Sequence, residues 1–103
     1  MNTINQTIIF AKWFAGLRDR EAKKRILNRI RNATDGSFGN HKSLGEGVYE
    51  MKINYGPGYR MYYGQEEKTV YLLIIGGDKR TQDKDIADAK AMWKALKRGN
   101  KND

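Results

Sequence analysis

The chain has 103 residues, of which 20 are Lys or Arg and 12 are Asp or Glu, so its formal net charge is +8. The absence of cysteine excludes disulfide bonds and thiolate metal sites. The length predicts one domain over residues 1–103, and no apolar run reaches the ~18 residues of a membrane span. We therefore expect a cytoplasmic protein that does not enter a membrane.

The positive charge is concentrated near the start of the chain, since residues 1–35 hold eight cations and three acids. This excess favours a polyanionic partner, which can be a nucleic acid, an acidic protein or an anionic membrane surface. A basic protein with no such partner would have the same composition, because charge affects association and not fold.

The first third of the chain predicts a short edge strand at Thr3–Thr7 and then two helices. Thr7 and Asp19 are the expected N-caps, and the second helix should end near Ala33. Apolar residues recur at helical spacing in both helices: Ile9, Trp13 and Leu17 in the first, and Ala22, Ile26 and Ile30 in the second. The pair should form a helical hairpin with a cationic outer face, which fits nucleic acid, an acidic protein or solvent alone.

The middle of the chain predicts a loop followed by an antiparallel meander. Residues 32–47 are rich in Gly, Asn and Asp and are expected to form the loop, which carries the single histidine, His41. His41 can contact a phosphate, transfer a proton or simply be exposed. Three strands should follow, at Val48–Asn54, Tyr59–Gly64 and Thr69–Ile75.

The end of the chain predicts a helix capped by Thr81 or Asp83 and stopped by Gly99, with a loose tail over residues 100–103. Its expected buried stripe is Ile86, Ala89, Trp93 and Leu96. The acids near its start favour the helix dipole and need no metal to explain them.

The meander should place its tyrosine and methionine face against the helices. Lys52 and Arg60 would then lie on an open face with Tyr62, and Lys79 and Arg80 would follow the neighbouring strand. Such a surface suits RNA, because cations hold phosphates and tyrosine rings stack on unpaired bases. It also suits RNA cleavage by the 2′-hydroxyl, in which cations stabilise the phosphate charge without metal. Binding without cleavage is also compatible with the spacing, because basic sheets often only bind.

Three stretches carry a resemblance over about residues 5–96: FAKWFAGLRDREAKKRILNRI, GEGVYEMKINYGPGYRMYYG and LLIIGGDKRTQDKDIADAKAMW. They resemble the RelE/ParE toxin superfamily, and within it the HigB-like group of addiction-module killer and phage Gp49-like proteins. The resemblance implies an α+β, RelE-like fold: an N-terminal helical hairpin packed on a small twisted antiparallel sheet, plus a C-terminal helix.

The resemblance also implies the toxin of a type II toxin–antitoxin system that cleaves messenger RNA on the ribosome with no metal or other cofactor. Its partner would be an antitoxin from a neighbouring gene, usually with a helix-turn-helix, through which alone it would meet operator DNA. The implied catalytic residues are Arg60, Arg80, Lys79 and Lys52, and the expected RNA contacts are His41, Lys42, Tyr62 and Lys84.

One departure concerns proton transfer, because RelE has a catalytic tyrosine in its C-terminal segment and the matching region near Asp85 and Ile86 has none. Lys52, Lys79, His41 or another tyrosine can take that role, or catalysis is weaker. Alternatively the target is not RNA. A ParE-like protein that inhibits DNA gyrase by binding is the alternative function, and an inactive basic protein is a third.

Overall fold

The computed structural model describes the backbone of residues 1–101 and the side chains of residues 1–99. The strands are β1 Thr3–Gln6, β2 His41–Gly45, β3 Val48–Ile53, β4 Tyr59–Glu67 and β5 Val70–Gly77. The helices are α1 Ile8–Gly16, α2 Arg20–Thr34 and α3 Gln82–Lys101, with a 3₁₀ turn at Lys79–Thr81 before α3. No helix in this described part is long and apolar enough to cross a membrane.

The five strands form one sheet in the order β1-β5-β4-β3-β2. Strands β2 to β5 are antiparallel, as predicted, but the edge strand β1 runs parallel to β5, so the sheet is mixed. The predicted loop over residues 32–47 is wrong in part, because His41–Gly45 forms the second edge strand. This strand is exposed at four of its five residues and therefore shows no apolar alternation.

The N-terminal helices begin where their caps predict. The Thr7 hydroxyl accepts a hydrogen bond from the Phe10 amide at 3.0 Å and donates one to the Ile74 carbonyl at 2.7 Å. The Asp19 carboxylate likewise accepts from two amides at the start of α2. The predicted stripe of α1 is wrong at one end: Phe10 is the buried residue of its first turn, and Ile9 is 53% exposed.

Helices cover both faces of the sheet. The α1–α2 hairpin packs on one face around Phe10, Ile26 and Met61, and α3 packs on the other around Ala89 and Trp93. The expectation of one open face is therefore wrong. Each face has a glycine on which a tryptophan ring lies, Gly76 beneath Trp13 and Gly64 beneath Trp93. The rings can lie this close because glycine has no Cβ atom, which would otherwise meet the ring.

The start and end of α3 differ from the prediction. Asp78 caps the 3₁₀ turn that leads into α3, since its carboxylate accepts from the Arg80 amide at 2.8 Å. Gly99 does not stop the helix, which continues to Lys101. No atom lies within 4 Å of a Cβ placed at Gly99, so no neighbouring group forces the helix to end at this residue. Residues 102 and 103 of the predicted tail lie outside the described residues.

Candidate functional site

Two of the predicted catalytic cations are direct neighbours in the sheet. Lys52 on β3 pairs with Arg60 on β4, and Arg60 pairs in turn with Gly77, the last residue of β5. Residues that pair across antiparallel strands project to the same face of the sheet. Lys52 and Arg60 therefore lie side by side on the face that α3 covers further along.

The other two predicted catalytic cations follow β5 directly. Lys79 and Arg80 are exposed residues of the 3₁₀ turn, and the Lys79 amide donates to the Pro57 carbonyl at 3.3 Å. The hydrogen bond fixes the turn against the hairpin between β3 and β4. The structure thus gathers all four cations at one end of the sheet, where β3 and β5 finish and β4 begins.

Arg60 is buried at this end of the sheet, with 5% of its surface exposed, and does not lie on an open face as predicted. Its Nη1 donates to the Gly58 carbonyl at 2.7 Å, and its Nε lies 3.8 Å from Oε1 of Glu50. Glu50 is 2% exposed and accepts a hydrogen bond from Gln82 at the start of α3, at 3.1 Å. These contacts leave the guanidinium little freedom to change its orientation.

Arg80 has the opposite character, because its side chain is 82% exposed. It forms an ion pair with Asp78 at 3.0 Å. The hydrogen bonds and charge of this pair lower the pKa of Asp78 and raise the pKa of Arg80. Arg80 is therefore a fully charged group that is accessible to a ligand, and Asp78 sets its direction.

A cavity of about 220 Å³ opens beside Lys52, lined by Asn40, His41, Lys42, Glu50 and Lys52. Lys42 pairs with Glu50 across β2 and β3, so its side chain shares the face of Lys52 and Arg60. His41 instead pairs with Met51 of the core beneath the hairpin, and its ring lies 5.9 Å from that of Phe38. Two predicted RNA contacts thus border the same cavity as Lys52, with His41 at its rim.

Tyr62 does not occupy the position that base stacking requires. Its side chain is fully buried against α3, and its hydroxyl has no hydrogen-bond partner among the described residues. Burial, with a smaller effect from the negative charge of Glu50, raises the pKa of Tyr62 well above its usual value of 10.0. The predicted open position of Tyr62 is wrong, and this phenol stays protonated at neutral pH.

Lys84 lies on α3, outside the row formed by Lys52 and Arg60. It is exposed and forms an ion pair with Asp88 one turn later, at 2.7 Å. The hydrogen bond and charge of Asp88 raise the pKa of Lys84. The contacts of Lys84 are those of a solvated helix residue.

The sequence did not predict three residues that hold the site in place: Gln82, Glu50 and Arg29. Glu50 alternates with the core residues of β3, which marks it as polar but not as buried. Arg29 belongs to the basic stretch of α2, yet its Nη2 donates to the carbonyls of Phe38 and Asn40 at 2.9 and 3.0 Å. Arg29 also donates to the Lys52 carbonyl. It therefore holds the start of β2 against β3, and its burial lowers its pKa.

The site consists of cations, amides and one buried carboxylate. In the described part of the chain no group of three or more His, Cys, Asp or Glu side chains is placed to hold a metal ion. The arrangement can bind a phosphate and stabilise charge that develops on its oxygens.

Comparison with known proteins relates this chain to one family by sequence. No protein-family model matches the chain. An uncharacterized protein of Haemophilus influenzae is 40% identical over 93 residues, which cover 90% of this chain and 94% of that protein. The chain belongs to the same family as this Haemophilus protein.

Two solved structures share the fold of this chain. The isolated E. coli RelE toxin matches with a TM-score of 0.63 and 16% identity, over 85% of this chain and 98% of RelE. A chain of the intact E. coli RelBE toxin–antitoxin complex matches with a TM-score of 0.63 and 18% identity, over 76% of this chain and 96% of that chain. The predicted RelE-like fold is confirmed, while membership of the HigB-like group stays a prediction.

Proposed function

We propose that this chain is the toxin of a type II toxin–antitoxin system and that it cleaves messenger RNA on the ribosome without a metal ion. The RelE fold supports the class of protein. The observation that carries the proposal is the row of Lys52 and Arg60 on adjacent strands, with Lys79 and Arg80 in the turn that follows the next strand. Gyrase inhibition has no comparable support from the matched structures.

The proposed chemistry is attack of the RNA 2′-hydroxyl oxygen on the adjacent phosphorus, with loss of the 5′-oxygen. Arg60 and Arg80 stabilise the charge on the phosphate oxygens, and the fixed guanidinium of Arg60 needs little reorganisation to do so. Lys52 and Lys79 position the phosphate or exchange protons, and Lys42, His41 and Lys84 contact the strand. Tyr62 has no part in this proposal because none of its ring is exposed, whereas Arg60 keeps 5% of its surface accessible at the end of the sheet.

The proposed partner is an antitoxin, which the RelBE toxin–antitoxin complex supports because a chain of that complex has the same fold as this one. We propose that this antitoxin is encoded next to the toxin, carries a helix-turn-helix and brings the pair to operator DNA. The toxin alone would then act in the cytoplasm, where it meets ribosomes and messages.

Growth inhibition and primer extension test the proposed function. Arg80→Ala removes an exposed cation without disturbing the core, and we expect it to lower single-turnover cleavage of message by about 100-fold. Arg60→Lys keeps a charge beside Glu50 but loses the fixed guanidinium, so it should lose activity and stay folded. Arg60→Ala is a poorer test, because it leaves Glu50 buried without a partner and destabilises the fold.

Arg18→Ala is the matched control, since Arg18 is an exposed arginine in the link between α1 and α2. It should inhibit growth as the wild type does. Cuts within codons of messages from induced cells support the proposal. Induction of the SOS response without such cuts would overturn it in favour of gyrase inhibition.

A further inference from the structure

A buried carboxylate lies within the cationic end of the sheet, where the proposed chemistry gives it no role. Glu50 is 2% exposed and sits on β3 between its cross-strand neighbours Lys42 and Tyr62. A carboxylate is removed from water at high cost unless charges or hydrogen bonds compensate it. The groups that contact the Glu50 carboxylate must therefore compensate for its burial, and they indicate its role.

Each oxygen of Glu50 has a different partner. Oε2 accepts from the Gln82 side chain at 3.1 Å, and Oε1 lies 3.8 Å from Nε of Arg60. The first contact connects β3 to the first residue of α3. The second is longer than a hydrogen bond, and Nε of Arg60 is buried with no hydrogen-bond partner among the described residues.

Arg60 is consequently held from two sides by groups of different kinds. The Gly58 carbonyl accepts from its Nη1 at 2.7 Å, and the negative charge of Glu50 faces its Nε edge. A Cβ atom at Gly58 would lie 3.2 Å from Nη1, so the backbone also closes on the guanidinium there. The guanidinium plane is thus set by its surroundings before any phosphate arrives.

We propose that Glu50 is a positioning residue, which orients the Arg60 guanidinium toward the scissile phosphate while Gln82 fixes the Glu50 carboxylate from α3. The inference rests on the proposed function. Without the carboxylate charge, Arg60 keeps its own charge but loses one of its two constraints. An arginine that must reorient to meet the phosphate loses transition-state stabilisation more than it loses affinity for RNA.

The experiment compares single-turnover cleavage of a message on purified ribosomes by the wild type, Glu50→Gln, Gln82→Ala and Glu66→Gln. We expect Glu50→Gln to lower the maximal cleavage rate on the order of 100-fold, and Gln82→Ala about tenfold, with the half-saturating concentration changed less than about threefold. Glu66→Gln, at an exposed residue of β4, should cleave as the wild type does.

A double-mutant cycle separates positioning from a merely structural role. If Glu50 acts through Arg60, adding Glu50→Gln to Arg60→Lys costs little further activity, because the orientation that Glu50 provides is already lost. If the activity losses of Glu50→Gln and Arg60→Lys multiply in the double variant, the inference is overturned. It is also overturned if the loss of activity accompanies a lower melting temperature and the activity returns on cooling. Gln82→Ala keeps the test open if Glu50→Gln does not fold.

The failure of the inference differs from the failure of the proposed function. A wild type that cleaves, together with a Glu50→Gln variant and a Gln82→Ala variant of equal activity, overturns the positioning role and leaves the function standing. A wild type that cleaves no message on ribosomes overturns the proposed function, and the positioning role falls with it.

Discussion

Burial decides what each aromatic or charged residue of the site can do, and Tyr62 is the sharpest case. Its hydroxyl is buried with no partner among the described residues, so the group is desolvated without compensation. We predict that Tyr62→Phe keeps full growth inhibition and leaves the free energy of unfolding within about 1 kcal/mol of the wild type, or raises it. Urea denaturation and a growth assay check this.

The contrary outcome for Tyr62→Phe is informative as well. Loss of toxicity in a variant of normal stability would mean that the phenol reaches RNA, which requires α3 to move away from the sheet. Tyr62→Ala is not a suitable substitute, because it also removes a large ring from the core that α3 covers.

The alternation of residues along β3 and β4 predicted which cations are neighbours, but it did not predict that Arg60 and Glu50 are buried. The period of two in β3 and β4 places Lys52 and Arg60 on the same face, and the register puts them opposite each other. No local pattern reveals that Arg60 and Glu50 are buried on that face, or that Gln82 at the start of α3 donates a hydrogen bond to Glu50. This depends on where a helix some 30 residues away in sequence packs, which strand periodicity does not contain.

At the scale of elements, two glycines allow a helix to pack closely on each face of the sheet. Gly64 and Gly76 have ordinary backbone angles, so Ala is excluded there only by the rings of Trp93 and Trp13. We predict that Gly64→Ala and Gly76→Ala each lower the free energy of unfolding by about 1–3 kcal/mol, because the helix must move outward. Chemical denaturation measures the loss.

Gly16→Ala is the control for both substitutions. Gly16 ends α1 with nothing within 4 Å of an added Cβ and no positive φ. Ala there should be neutral or stabilising by up to about 1 kcal/mol. Equal losses at all three glycines would show that the tryptophan contacts do not explain the effect, because no tryptophan lies at Gly16.

The start of α3 depends on the charge of Asp78, which both caps the 3₁₀ turn and pairs with Arg80. The pair lowers the folded-state pKa of Asp78. The charged form therefore stabilises the fold above the unfolded value of about 3.9, and this contribution is lost as pH falls through the lower folded value. We predict that Asp78→Asn, which keeps a capping oxygen, lowers the melting temperature at pH 7 by roughly 2–4 °C.

Melting curves from pH 7 to pH 3 check the assignment. The difference between wild type and Asp78→Asn should narrow as pH falls below about 4, where Asp78 gains its proton in the unfolded chain while the ion pair keeps it charged in the folded one. A difference that is independent of pH would assign the effect to geometry and not to charge.

Elements with their own local signals were predicted well. Thr7 and Asp19 cap the helices that the apolar spacing locates, and Gly56–Gly58 forms the turn between β3 and β4. Strand β2 was missed because an exposed edge strand carries no buried face. The parallel pairing of β1 with β5 was likewise not predicted, because it joins residues 67 positions apart, such as Thr3 and Val70, and no local pattern specifies it.

At the scale of the whole molecule, the net charge of +8 is divided among separate surfaces. One is the site itself. A second is a groove on the outer side of α2, lined by Arg20, Lys23, Lys24, Leu27, Asn28 and Arg31. Leu27 is 49% exposed in the middle of this groove, so the surface combines charge with an apolar centre. That combination suits an acidic protein such as an antitoxin better than it suits an RNA backbone.

The salt dependence of RNA binding tests this division of charge. The six proposed cations, counting Lys42 and Lys84 with the four at the phosphate, predict a slope of about −4 in log affinity against log salt on a single-stranded, non-cleavable RNA, which weakens binding roughly 300-fold between 50 and 200 mM KCl. Replacing Lys79 and Arg80 by Gln should reduce the slope by about a third, because it removes two phosphate contacts. Replacing Lys24 and Arg31 by Gln changes the net charge equally and should leave the slope unchanged. An equal reduction in both variants would show that the RNA also lies across the helical hairpin, and the groove on α2 would then belong to the substrate and not to a protein partner.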